Sequence, residues 1–123
     1  MWLFTTLGFF SIVEKPLDGQ SGALQVRARV AGDLDALRAQ YLPELGPTVA
    51  TPHGDYKFRA AIAHADFARG LAKLAKAIHY DNFKSAVGAA QGWDREHIYH
   101  GVWSAAMKLE QLPDKQPKLK GRR

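Results

Sequence analysis

Two short stretches of this chain set an imidazole close to a carboxylate, His53-Gly54-Asp55 and His79-Tyr80-Asp81. A histidine oriented by an acid is the smallest unit that can act as a general base. Both stretches read as loops, and loops held by a rigid scaffold often carry function. Each also has a plainer use, since Gly54-Asp55 is turn chemistry and Asp81 is placed to cap a helix. A third cluster, Glu96, His97 and His100, falls near the start of a helix. His97 and His100 are one turn apart, close enough to share an ion. They do not make the metalloprotease pattern of two histidines four apart with a glutamate after the first. Packing of the rings on Tyr99 or Trp103 is the expected reading, with no metal site and no cofactor. The chain has no Gly-rich phosphate loop, no Gly-x-Ser-x-Gly elbow and no cysteine. Thiolate zinc sites, disulfides and cysteine nucleophiles are therefore excluded. The balance favours a non-catalytic protein, with His53, Asp55, His79 and Asp81 as the residues an enzyme would have to use.

The second chemistry is electrostatic. Leu24-Gln25-Val26-Arg27-Ala28-Arg29-Val30-Ala31 is echoed 32 residues later by Tyr56-Lys57-Phe58-Arg59-Ala60-Ala61-Ile62-Ala63. Self-similarity at a fixed offset marks one supersecondary unit used twice. Both copies alternate with period two, the pattern of a half-buried strand. Leu24, Val26, Ala28 and Val30 take one face of the first, and Tyr56, Phe58, Ala60 and Ile62 one face of the second. Arg27, Arg29, Lys57 and Arg59 take the other. Four cations on one sheet face need anionic company, because like charges opposite each other on a sheet repel. That company is either local acids such as Glu14 and Asp55, or a bound anion, or a covering layer from the C-terminal helices. Residues 113–123 add five bases, Lys115, Lys118, Lys120, Arg122 and Arg123, against one acid, Asp114. The net charge of +5 and the pI of 9.6 belong mainly to this tail, which leaves the remaining residues close to neutral.

The elements that would position these groups follow from the pattern of apolar and turn residues. Residues 9–14 are aromatic and β-branched and read as a first strand, with residues 2–6 as an extension bent at Gly8. Residues 24–30 form the second strand. Residues 33–41 form a helix capped by Asp33, with Leu34, Leu37 and Tyr41 on its apolar side. Residues 47–51, with prolines on both sides, read as an edge strand. Residues 56–62 form the fourth strand. A second helix runs from about 64–66 to 78, with Phe67, Leu71, Leu74 and Ile78 buried and Arg69, Lys73 and Lys76 wet. A third helix contains Phe83 and Val87. A fourth, opened by Asp94, carries the stripe Ile98, Val102, Ala105 and Leu109. With Tyr99 and Trp103 added, its apolar arc is wide enough to be buried on two sides, in the core or against another chain.

The expected fold is thus α+β, a two-layer four-stranded antiparallel sheet with helices on one face in the order ββαββα, plus two C-terminal helices. Residues 1–112 form a single domain, with pseudo-repeats at about 9–43 and 47–78 and C-terminal helices at 81–112. Residues 113–123 form a disordered basic tail. The repeated strands lie side by side at the centre and the Pro-flanked strand at an edge. This layout resembles a circular permutation of the ferredoxin-like fold, an architecture that hosts many functions. RNA-binding modules of that architecture use the same two central strands, with aromatics where this chain has charges. Trp2, Phe4 or Phe9 can supply stacking from the neighbouring strand, but which way they face is not fixed by the sequence.

The functional expectation is a small non-catalytic module for an anionic partner, foremost the nucleic-acid backbone. The binding residues are Arg27, Arg29, Lys57 and Arg59, with Lys115, Lys118, Lys120, Arg122 and Arg123 as a second contact. The alternative is a protein–protein adaptor or inhibitor, docking on an acidic protein surface or on a second copy of the chain. The third reading is a small enzyme using a loop histidine. No run approaches the ~20 apolar residues of a membrane span. The apolar start lacks a basic n-region and a small-residue cleavage pattern, so a cytoplasmic location is expected.

Overall fold

The computed structural model of the chain describes residues 1–15 and 22–114. The basic residues Lys115, Lys118, Lys120, Arg122 and Arg123 of the expected tail lie outside the described residues. The chain divides into two compact units, Met1–Phe83 and Lys84 onward.

The first unit is α+β. Its elements are β1 (Trp2–Phe4), β2 (Phe9–Glu14), β3 (Ala23–Ala28), α1 (Ala31–Gln40), β4 (Val49–Ala50), β5 (Phe58–Ala63) and α2 (His64–Lys76). All strands pair antiparallel in one sheet of order β1-β2-β3-β5-β4. The repeated strands β3 and β5 are neighbours at its centre, and the Pro-flanked β4 lies on an edge. The strand count is five rather than the expected four. Residues 2–4 do not extend β2 but fold back on it, with Trp2 opposite Ser11 and Phe4 opposite Phe9. Thr5 closes that hairpin: its Oγ1 accepts from the N–H of Leu7 at 3.0 Å and of Gly8 at 3.1 Å.

One face of the sheet carries the core. Phe10, Ile12, Val26, Ala28, Ala60 and Ile62 pack with Leu34 and Leu37 of α1, Leu42 and Leu45 of the following loop, and Phe67 of α2. Burying each large member contributes roughly 1.5–3 kcal/mol relative to leaving it exposed. Two close approaches need glycine. A Cβ on Gly8 would fall 2.3 Å from the Asp33 carboxyl carbon, and one on Gly70 of α2 would fall 1.9 Å from Leu42 Cδ2.

Three local expectations are corrected. Asp33 is not the cap of α1, which starts two residues earlier after Val30. Its buried carboxylate instead accepts the Phe9 N–H at 3.1 Å, tying α1 to the start of β2. Val30 lies past the end of β3 and is 45% exposed, so it leaves the apolar row. Tyr56 precedes β5, and its ring lies on the opposite side from Phe58, Ala60 and Ile62, beside Arg27 and Arg29. The reason is that strict alternation holds only inside a paired strand. Residues on a turn before the first ladder bond are free to point elsewhere.

The second unit holds α3 (Phe83–Gln91), which begins at the boundary, α4 (Trp93–Ala106) and a 3₁₀ turn, Met107–Gln111. Gly92 separates the helices at φ +97°, a conformation glycine adopts without strain. The Glu96 carboxylate lies over Gly88, where a Cβ would meet its Oε1. This contact turns the Glu96–Tyr99 side of α4 toward α3. Tyr99 is buried in consequence, whereas the expected stripe is not: Ile98 is 65% exposed and Leu109 66%.

Candidate anion-binding face

The site is built on the sheet face opposite the core. Arg27 of β3 and Arg59 of β5 are directly opposite each other in register. They are also the residues related by the 32-residue repeat, so the pseudo-twofold of the two copies passes between their side chains. Each arginine meets a hydroxyl from the strand or turn outside it. Arg27 Nη2 donates to Ser11 Oγ at 2.6 Å, and Arg59 Nε to Thr51 Oγ1 at 3.1 Å. The strand directly beyond Arg27 also brings Trp2 into the same row, through Ser11.

The rest of the cluster is asymmetric. Arg59 Nη1 donates to Gln25 Oε1 at 2.6 Å and its Nη2 to Asp55 Oδ1 at 3.2 Å. Gln25 is only 2% exposed, so this bond satisfies an amide oxygen that water does not reach. Two guanidinium groups lie over the Tyr56 ring: the Arg27 guanidinium carbon stands 4.7 Å from its centroid and that of Arg29 4.5 Å. Guanidinium on a desolvated aromatic face is attractive. Arg29 Nη1 also donates to the Asp55 carbonyl at 2.6 Å, and Lys57 Nζ to the Pro52 carbonyl at 2.6 Å. Arg27 Nε–H is buried and meets no acceptor among the described residues.

Among the described residues, Asp55 is the one carboxylate in contact with this group. The Tyr56 N–H donating to its Oδ1 at 2.9 Å holds its carboxyl below the ordinary carboxylate range, and the Arg27 and Arg59 charges act in the same direction. Only Arg59 pairs directly with this carboxylate; Arg29 and Lys57 are bonded to backbone carbonyls instead. Glu14 does not join them, because its carboxylate pairs with His64 Nε2 at 2.8 Å. The His64 ring also has Nδ1 at 3.1 Å from the Gly22 carbonyl. This histidine–acid contact joins residues 50 apart in sequence, which no spacing rule would have paired.

Beyond the arginines the same face is aromatic. The Phe9 ring stacks on Phe4 with centroids 4.4 Å apart, meets Trp2 nearly perpendicular at 5.7 Å, and approaches Tyr56 at 6.3 Å. The register therefore settles what sequence left open, and Trp2, Phe4 and Phe9 share the arginine side. Their signal was present in the odd-numbered phase of β2, where Phe9 and Ser11 alternate with the core residues Phe10 and Ile12.

The other candidate residues do not converge. His53 and Asp55 are exposed on one turn, and Asp55 Oδ1 is taken by Arg59 and Tyr56 rather than by the imidazole. His79 and Asp81 are both exposed, and no hydrogen bond joins them among the described residues. Glu96, His97 and His100 go three ways: Glu96 lies over Gly88, His97 stacks on Trp93 at 4.8 Å, and His100 stacks on Trp103 at 5.4 Å. His100 Nδ1 also receives Lys84 Nζ at 3.0 Å. No three metal-ligating side chains gather among the described residues.

A concavity of about 210 Å³ lies where β1 meets α2, lined by Leu3, Leu71, Leu74, Ile78 and Tyr80 among others. Its lining holds no charged side chain, so it offers nothing to an anion, and it is smaller than common ligand sites of ~300 Å³ and above. No helix among the described residues is long and apolar enough to cross a membrane.

No family model, no curated protein and no solved structure matches this chain.

Proposed function

We propose that this chain is a small non-catalytic binding module for an anionic partner, foremost the backbone of a nucleic acid. The observation that carries the reading is the placement of Arg27 directly opposite Arg59, with Arg29 next to Arg27 over the Tyr56 ring and Asp55 as the only carboxylate in contact with these arginines among the described residues. A cation excess held in fixed positions attracts phosphate without reorganisation. Arg29 and Lys57 are the exposed members and make first contact. Arg27 and Arg59 are half-buried and set the field behind them. The residues 115–123, rich in lysine and arginine, supply a second contact in this reading. With no base-reading motif, binding is dominated by the backbone and weakly specific for sequence. The permuted ferredoxin-like layout of the four strands β2, β3, β5 and β4 belongs to the same proposal, as does action in the cytoplasm.

The test is binding to a labelled oligonucleotide across a salt series. Each phosphate neutralised contributes roughly 0.7–0.9 to the slope of log affinity against log salt. Arg29→Ala with Lys57→Ala should weaken binding and flatten the slope by nearly two such contacts. Both side chains are exposed and lie outside the strands, so the fold should survive. Unchanged affinity removes the sheet face from the reading. Loss of binding on truncation after Leu112 alone moves the site to the tail.

A second reading, docking on another protein or a second copy of the chain, is favoured by one observation. In α4 and beyond, Ile98, Trp103, Leu109 and Leu112 are all more than half exposed. A complex that survives high salt supports this reading over the first. The enzyme reading rests on His53 and His79, and a metabolite screen by thermal shift tests it, because ligands of the native state raise its stability.

A further inference from the structure

We infer that the aromatic row beside the arginines makes the partner a single-stranded nucleic acid, with a base stacking on Trp2 while the neighbouring phosphates lie over Arg27 and Arg29. This rests on the anion-binding reading and goes beyond it by assigning the bases a place.

The argument begins with exposure. Trp2 is 68% exposed although it is the bulkiest apolar residue of the sheet. Its indole is not loose: it meets the Phe9 ring at an interplanar angle of 86°, and at 68% exposure most of the indole remains open to solvent. Phe9 is in turn held by stacking on Phe4 and by contact with Tyr56. Tyr56 carries the guanidinium groups of Arg27 and Arg29. A continuous chain of rings thus leads from an exposed indole to the cation cluster, on one face.

Distance and charge agree with that occupant. Trp2 lies opposite Ser11 and Ser11 opposite Arg27, so indole and guanidinium start two strand spacings apart, about 10 Å. A base and an adjoining phosphate of one strand can bridge such a gap. Aromatic platforms next to cationic grooves are how sequence-tolerant single-strand binding is achieved, since every base has a stacking face. A duplex cannot use the indole in this way, because its bases are already stacked and paired. An acidic protein would use the arginines, whereas an exposed indole beside them suits a partner that carries a flat stacking face next to each anionic group.

The experiment compares three short labelled probes of equal phosphate number: a single-stranded oligothymidylate, the same strand with abasic sugars, and a duplex. The wild-type chain should bind the thymidylate strand about tenfold more tightly than the abasic strand, the scale of one stacked base. Trp2→Ala should remove that difference and leave the abasic affinity and its salt slope intact, while Trp2→Phe keeps part of it. Equal wild-type affinity for the thymidylate and abasic strands, or preference for the duplex, overturns the stacking inference and leaves the electrostatic reading standing. Absence of binding to all three probes overturns both. A thermal melt of Trp2→Ala distinguishes loss of stacking from loss of fold, and if that variant melts early, the wild-type probe comparison alone decides.

Discussion

The two faces of the sheet hold together by different physics. On the helical side, Phe10, Val26, Ala60 and Leu37 are fully buried and belong to one apolar cluster. There stability scales with the volume filled, and any residue of similar size and hydrophobicity serves. On the other side, Ser11 and Gln25 are just as inaccessible, yet they are polar and bonded to arginines. There stability depends on each donor finding its acceptor. The lesson is that burial alone does not distinguish a core from a site. The matching of charges does, and the arginine face is left with more cations than acids.

The largest effect expected from this contrast is on the helical side. Leu37→Ala should cost about 2–5 kcal/mol in a urea unfolding experiment, from lost transfer energy and the cavity left behind. A loss under about 1 kcal/mol would mean that the helix is not locked on the sheet. Next comes the seam between the sheet and α1. Gly8→Ala should cost about 1–3 kcal/mol, because the new methyl collides with the Asp33 carboxyl group that receives Phe9 N–H. Asp33→Ala combined with Gly8→Ala should recover little, since the Phe9 bond is lost either way.

A comparable or smaller loss is expected on the arginine face. Arg59→Gln should cost about 1–3 kcal/mol by leaving buried Gln25 without its partner, and should also weaken anion binding. Substituting Gln25→Leu in the same chain should return part of the stability and none of the binding. If both return together, the arginine acts through the fold and not as a contact. The smallest effect is a pH effect. The folded carboxyl of Asp55 is held below its ordinary range, so its contribution is fully present above the unfolded value of about 3.9 and is lost as pH falls through the folded value. Asp55→Asn should therefore lower stability near neutrality, where the carboxylate contributes fully, and flatten the acid limb, so that variant and wild type converge as pH falls below about 4. An unaltered acid limb would show that the Tyr56 N–H and the neighbouring guanidinium charges do not hold the folded carboxyl down.

Several of these features were legible from residue types alone. Period-two alternation assigned Arg27 and Arg59 to one face and Val26 and Ala60 to the other, because the pleat is a local property of the backbone. The repeat put the two copies side by side, and the prolines at 47 and 52 put β4 on an edge. The hairpin of β1 on β2 was missed because Thr5 and Thr6 are not strong turn residues. The turn depends on Thr5 Oγ1 accepting two N–H groups, a geometry and not a composition. The rotation of α4 was missed for a similar reason. Its apolar residues surround the helix, so periodicity could not choose a face, and the close approach of Glu96 to Gly88 chose it instead.

By itself, the order of residues determined which side chains lie on which side of β3 and β5, where the chain turns near proline and glycine, and that basic groups outnumber acids near those two strands. Only the tertiary structure decided that Asp55 and Tyr56, from a turn, would reach over to Arg59, Arg27 and Arg29, and that Trp2 would share their row. The division has a physical cause. Alternation and turn preference arise from neighbouring dihedral angles, whereas a salt bridge or a stacked ring needs the register between strands and the path of a turn, which come from contacts between residues far apart along the chain.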